Sequence, residues 1–251
     1  MDIVIPSYLT PDLTIATTQT YTRNDLNDDI RSIIIVENSS KTNYFSNISS
    51  ISPKIKCIKN NTSTTGSLAN AEAIEIALKY CKSKYIFLSH SDSAILSPLF
   101  FDSLNHYISE GYALVGMLRD KLRIGALHSS GLLVKKSLIN KVNISPKYIR
   151  KMPKIWKKLC IQDVCDSLTD YARKNALKYA CFNNTYNGYS LDSKKLNYKI
   201  LSLIDTTISK EGEPIFAHLG RGTPKSLGKY KTNSKNKVSV EKYIDLLNSY
   251  K

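Results

Sequence analysis

The stretch Tyr85-Ile86-Phe87-Leu88-Ser89-His90-Ser91-Asp92-Ser93 decides how this chain reads. Four large apolar residues in an unbroken run suit a strand covered on both faces, as in a parallel sheet flanked by helices. The run gives way at once to five polar residues. Ligands of open α/β sheets sit beyond the carboxyl ends of the strands, so this is where chemistry is expected. One imidazole and one carboxylate two residues apart suit a borderline divalent ion such as manganese, completed by phosphate oxygens and water. Polar loops follow most strands, however, so the cluster needs support from elsewhere in the chain.

Upstream, the same strand-then-polar pattern recurs. Residues 2–5 predict a strand cut off by Pro6 and followed by Ser7 and Tyr8. Thr10-Pro11-Asp12 predicts a helix start, with a capping hydroxyl, Pro at the first helical position and an early acid. Residues 31–36 carry Ile33-Ile34-Ile35-Val36 and lead into Glu37 and Asn38, while residues 54–58 form a weaker strand before Asn60 and Asn61. Ala69, Ala73, Ile76, Ala77 and Tyr80 recur at helical spacing. Downstream, residues 98–110 predict a helix closed by Gly111, and residues 112–118 a fifth strand. This alternation predicts an α/β fold, a doubly wound and mostly parallel sheet with helices on both faces.

The second half is less regular. Residues 131–134 and 176–182 read as strands and residues 163–174 as a helix, and Val240, Tyr243, Ile244 and Leu247 make an amphipathic stripe after Ser239. The division expected is one domain over residues 1–220 and a basic tail over 221–251 that holds a short amphipathic helix, with residues 223–237 as a mobile loop.

Composition limits the classes of function. At 42% hydrophobic residues, the 251-residue chain has enough apolar surface to bury a core, which excludes a disordered protein. No run approaches the roughly 18 apolar residues of a membrane span. Residues 1–6 lack the basic lead and long apolar region of a signal peptide, so a cytoplasmic location is expected. Five cysteines without a Cys-x-x-Cys pair argue against a disulfide framework or zinc ribbon. The net charge of +15 is unevenly placed: residues 121–162 hold eleven basic residues and no acid, and residues 221–251 carry eight basic against two acidic. Such fields attract anions, whether nucleotide phosphates, lipid headgroups or nucleic acid. A solvated surface is the plain alternative for either cluster.

Familiar phosphate and nucleophile motifs are missing. No Gly-x-Gly-x-x-Gly follows the first strand, Gly220-Arg221-Gly222-Thr223-Pro224-Lys225-Ser226 has the wrong spacing for a P-loop, and no Gly-x-Ser-x-Gly elbow occurs.

With these segments in order, the chain resembles a family-2-type glycosyltransferase of the GT-A fold over about residues 2–220. Ile3-Val4-Ile5-Pro6-Ser7-Tyr8 is similar to the family's opening strand and donor-binding turn, and Ile34-Ile35-Val36-Glu37-Asn38-Ser39-Ser40 to its second strand and the turn that reads the nucleobase. Gly66-Ser67-Leu68-Ala69-Asn70 resembles the helix start where an Asn approaches the nucleotide. Ser89-His90-Ser91-Asp92 stands where the family carries Asp-x-Asp, with His90 in place of the first Asp. Ser129-Ser130-Gly131 occupies the place of the loop beside the donor sugar. Gln162-Asp163-Val164 resembles the family's Glu-Asp pair, and His218-x-Gly220 its late metal-binding His.

The resemblance implies a transferase that moves a sugar from a nucleotide-diphosphate sugar to a hydroxyl, inverting the anomeric centre. Asp163 is the implied general base; Asp92, His90 and His218 the ligands of a divalent metal, Mn2+ or Mg2+; and Pro6, Ser7, Tyr8, Glu37, Asn38, Asn70, Ser89, His90, Ser130 and Gly131 the donor site. His90 reads equally as a loop residue held by hydrogen bonds, and Asp163 as an acid favoured by a helix N-terminus. The basic stretch ahead of Asp163 suggests an anionic acceptor: a glycan, a phospholipid-linked glycan met by peripheral membrane contact, or nucleic acid stacked on Tyr148 and Trp156. A non-catalytic basic binding module on the same scaffold is the alternative from a different class.

Overall fold

The computed structural model describes residues 1–23, 28–39, 42–119, 125–146, 163–186, 190, 200–220 and 238–249. Ser40, Tyr148, Trp156, Gln162, the loop at residues 223–237 and much of the basic stretch lie outside these residues.

The apolar runs form strands where their composition calls for them: β1 (Asp2–Ser7), β2 (Ser32–Glu37), β3 (Ile55–Lys59) and β4 (Tyr85–Leu88). After β5 (Ser93–Ile95) come β6 (Leu114–Gly116), β7 (Leu132–Lys135) and β8 (Tyr179–Cys181). Three further strands, β9 (Asn183–Asn184), β10 (Asp205–Ile208) and β11 (Pro214–His218), complete the set. The larger sheet has the order β3-β2-β1-β4-β7-β6-β8 and is parallel except where β7 enters against β4 and β6.

Because strand side chains alternate, each central strand feeds two cores. Ile3, Ile5, Ile33, Ile35 and Phe87 face one, and Val4, Ile34, Val36, Ile86 and Leu88 the other. The helices are α1 (Pro11–Tyr21), α2 (Phe45–Ser49), α3 (Gly66–Leu78) and α4 (Leu99–Ser109), then α5 (Lys136–Ile139), α6 (Asp166–Lys174) and α7 (Val240–Ser249). The first core takes apolar side chains from α1, α2 and α4, the second from α3, α5 and α6, so both faces are covered.

Pro6 does not end β1. The Val4 carbonyl accepts from Ser89, so even-numbered residues of β1 turn their polar groups towards β4, and that ladder stops at the Val4–Leu88 pair. The missing N–H of Pro6 therefore falls past the end of its neighbour and breaks no bond. α3 follows its expected stripe only in part: Ala69, Ala73 and Ala77 are buried, but Tyr80 lies past the helix end, 41% exposed, under the ammonium of Lys56.

The antiparallel entry of β7 matters for function. Leu88 pairs with Leu132, so the residues that precede β7 abut those that follow β4. One edge of the sheet thus gathers the ends of β1, β2 and β4 with the Ser129–Gly131 turn.

The second sheet, β5-β11-β10-β9, left none of its strands legible in the sequence and is antiparallel throughout. It packs with α7 and α1 in a third core built on Leu13, Ala16, Ala94, Ala217, Tyr243 and Leu247. The amphipathic stripe expected in a tail is thus a buried helix face in contact with α1, and α7 belongs to the same packed body as the sheets.

Candidate active site

A cleft of about 680 Å³ opens at the carboxyl edge of β1, β2 and β4. Of the residues singled out in the sequence, Pro6, Ser7, Tyr8, Asn38, Asn70, His90 and Asp163 line it. The start of α3 forms one wall, entered through Gly66 at φ +60°, a left-handed conformation in which a side chain is strained. Thr65, at its N-cap, makes no side-chain cap, so the first-turn amides of a 13-residue helix meet the cleft uncapped by it.

His90 is the centre of the site. Its Nδ1 lies 2.8 Å from Ser130 Oγ, its Nε2 3.0 Å from Asn70 Nδ2 and 3.5 Å from Ser129 Oγ. Asn70 therefore meets His90, and its Oδ1 is buried without a hydrogen-bond partner among the described residues. His90, Asp92 and His218 each offer a ligand atom within 4.8 Å of the others. Register assembles them: His218, ending β11, lies between Asp205 on β10 and Ser93 on β5. The Leu219 amide then donates to the Asp92 carbonyl at 2.9 Å.

The electrostatics favour a cation here. Burial drives the His90 pKa down to about 4, with the charge of His218 adding to the effect and Asp92 and Asp163 opposing it. Burial also acts to lower His218, but Asp92 and Asp205 outweigh it and raise the value. Asp92 and Asp205 thus give the buried His218 surroundings that favour positive charge. Two imidazole nitrogens and a carboxylate oxygen form a donor set that fits a borderline ion such as Mn2+ better than Mg2+, which prefers oxygen.

Asp163 is not in a helix. The expected helix over residues 163–174 begins at Asp166, because Cys165 takes a left-handed φ of 67° that interrupts it. That conformation costs a non-glycine residue on the order of 1 kcal/mol. Asp163 Oδ1 accepts from the Val164 amide and the Asp163 amide donates to Asp166 Oδ2, so the turn fixes the carboxylate at the cleft wall.

Four expected donor residues are placed elsewhere, Ser130 among them, buried with its hydroxyl against His90 Nδ1. Glu37 is fully buried beneath the cleft: Ser7 and Tyr44 hydroxyls donate to its Oε2, each at 2.8 Å, and the Leu9 amide to Oε1 at 3.2 Å. Its carboxylate ties down the turn after β1 and is not presented to a nucleobase. Ser89 is equally buried, its hydroxyl 2.7 Å from that of Tyr21. Gly131 faces the core, where a Cβ would come within 2.8 Å of Met117 and 2.9 Å of Phe216. The capping role expected of Thr10 is also redirected, since its hydroxyl donates to Ser91 Oγ at 3.0 Å.

Sequence reasoning missed several residues of the site. His128 lines the cleft with its Nδ1 accepting from the Ser130 amide at 3.1 Å, and its ring lies 5.6 Å from that of His218. Thr17 donates to the Ser91 carbonyl, and the Thr20 hydroxyl accepts from Ile95, so buried hydroxyls of α1 satisfy the loop that carries Asp92. Asp205 is 3.0 Å from His218 Nδ1. Only His128, next to Ser129, stood near a recognised segment.

Taken together, sheet order, edge cleft and the loop after β4 define the GT-A type of glycosyltransferase fold. Among solved structures, a mannosyltransferase from Pyrobaculum calidifontis in complex with GDP-Man and Mn2+ is similar at a TM-score of 0.54 and 10% identity, over 72% of this chain and 53% of that one. Glucosyl-3-phosphoglycerate synthase from Mycobacterium tuberculosis, in complex with phosphoglyceric acid, is similar at 0.50 and 15%, over 72% and 68%. The chain spans about half the length of the mannosyltransferase. No protein-family model and no curated protein sequence matches it.

Proposed function

We propose that this chain transfers a sugar from a nucleotide-diphosphate sugar to a hydroxyl acceptor with inversion, assisted by a divalent metal. The observation that carries the reading is the convergence on one cleft of Ser7, Asn70, His90 and Asp163, residues spread over 156 positions, with Asp92 and His218 grouped behind His90.

Each group has a task in such a step. Asp163 accepts the proton of the acceptor hydroxyl as its oxygen bonds to the anomeric carbon. The bond from that carbon to the diphosphate oxygen breaks on the opposite side, and its electron pair leaves with the nucleoside diphosphate. The amides of the first turn of α3 suit the diphosphate, since a helix N-terminus favours anions. Tyr8, 41% exposed at the cleft, offers a ring face for the nucleobase. His90, Asp92 and His218 would hold a metal, which supplies positive charge to the leaving group. Holding donor and acceptor in one cleft removes much of the entropic part of the barrier. The strongly basic composition favours an acceptor that carries negative charge.

The test is a panel of UDP-, GDP- and CMP-sugars with Mn2+, read by donor-induced rise in melting temperature and by slow hydrolysis of the donor. One nucleotide class is expected to give both signals. Silence across the panel from folded protein overturns the reading and leaves a non-catalytic binding module.

A further inference from the structure

The cross-strand pairing of Asp205 with His218 does more than fill a gap in the second sheet. In the neutral imidazole, the 3.0 Å contact from Nδ1 to Asp205 Oδ2 fixes the hydrogen on Nδ1 and leaves the lone pair on Nε2. Nε2 is the atom that faces Asp92 Oδ1, at 3.7 Å. The backbones of Asp92 and His218 are already strapped together, since the Leu219 amide and the Tyr243 hydroxyl both donate to the Asp92 carbonyl. Ser130 and Asn70 hold the two ring nitrogens of His90, so a bound ion would take the place of one of these contacts. Three donors are therefore held in place by the scaffold itself, with no nucleotide needed to gather them.

We propose that Asp205 is the positioning carboxylate of this site, and that the chain takes up a Mn2+-class ion at His90, Asp92 and His218 before any nucleotide arrives. This rests on the reading of the cleft as a metal-assisted donor site and adds the residue that orients His218 and the order of assembly. Three protein donors fill half of an octahedral shell and leave positions for phosphate oxygens. Two imidazoles among the three disfavour Mg2+, which binds through oxygen and dehydrates reluctantly. A histidine whose second nitrogen is held by a carboxylate is the better ligand, and loss of such a partner typically weakens metal binding 10- to 100-fold.

The experiment titrates the full chain with Mn2+ in the absence of nucleotide, following free Mn2+ by electron paramagnetic resonance, with Mg2+ as competitor. One ion per chain is expected, with a large excess of Mg2+ failing to displace it. His218→Ala should abolish uptake, and Asp205→Ala should weaken it by about 10- to 100-fold. Should the alanine variant not fold by circular dichroism, Asp205→Asn, which keeps the shape and removes the charge, takes its place with about a tenfold loss expected. Restoration of most of the affinity in Asp205→Glu would separate ligand positioning from a loosened strand. Unchanged affinity in the folded Asp205 variant, Mn2+ uptake only with nucleotide, or equal competition by Mg2+ each overturns the proposal. Donor hydrolysis is measured separately, so transfer without nucleotide-free Mn2+ uptake removes this inference alone, whereas uptake without any response to donors removes the transferase.

Discussion

Tyr243, on the last helix, donates its hydroxyl to the carbonyl of Asp92, 3.2 Å away and 151 residues earlier in the chain. The same hydroxyl meets the Ala217 carbonyl at 3.2 Å, beside His218. One buried phenol therefore braces both backbones that present the metal-site residues. Tyr243→Phe keeps the ring and removes the one hydrogen that these two carbonyls share, so a loss of about 1–2 kcal/mol is expected in urea denaturation. Mn2+ affinity should fall as well, because the loop that carries Asp92 loses a restraint; an unchanged titration would show that the Leu219 amide suffices.

Asp163→Asn retains the size and shape of the side chain and removes its basicity. Donor binding, measured by calorimetry, is expected to stay within a few-fold of the parent, while turnover falls by about a hundredfold or more, the scale of general-base loss. Turnover equal to that of the parent would take Asp163 out of the reaction.

Asp92→Ala removes the one carboxylate among the three grouped ligands. The Mn2+-dependent part of donor affinity should vanish, and the remaining affinity should no longer respond to chelator. An Asp92→Ala chain that still binds donor more tightly with Mn2+ would place the metal elsewhere.

Glu37 illustrates a residue whose position in the chain suggested one role and whose packing gives another. Glu37→Ala strips three donors, from Ser7, Leu9 and Tyr44, of their acceptor in a buried site. A loss of about 2–4 kcal/mol is expected, from several unsatisfied groups at about 1–3 kcal/mol each and some rearrangement. The preference among nucleotide bases, read as the ratio of UDP to GDP affinities, should not move, since the carboxylate does not reach the cleft.

What was legible in the sequence follows from where burial leaves a continuous trace. The runs at Ile33–Val36 and Tyr85–Leu88 lie inside a helix-covered sheet, and each strand was located to within a residue or two. β10 left no such trace, because its centre is Thr206 and Thr207, both fully buried and satisfied by hydrogen bonds that no local pattern encodes. α1 turns four buried threonines inward, so its inner face reads as polar. His90, Asp92 and His218 were nameable from segment order, but Asp205 became visible only through strand register. Cys165 hid the start of α6, since nothing in a cysteine announces a left-handed backbone.

His90 makes the metal-free protein sensitive to acid, and the direction can be worked out. An unfolded histidine takes its proton near 6.5, whereas burial, reinforced by His218 against the pull of Asp92 and Asp163, delays it in the folded chain to about 4. Between those values the unfolded state binds more protons, so the contribution of His90 is complete above about 6.5 and is lost as pH falls towards 4. His218 runs the other way, since Asp92 and Asp205 raise its pKa against burial, and its contribution is present below about 6.5 and lost as pH rises through the raised value. Replacing His90 isolates the first effect. In chelator, the stability of the parent from urea denaturation should drop between pH 6.5 and 4.5 by about 2 kcal/mol more than that of His90→Gln. Parallel curves for the two proteins would mean that the folded site admits a proton on His90 as readily as water does, and that the imidazole is not held neutral for a metal.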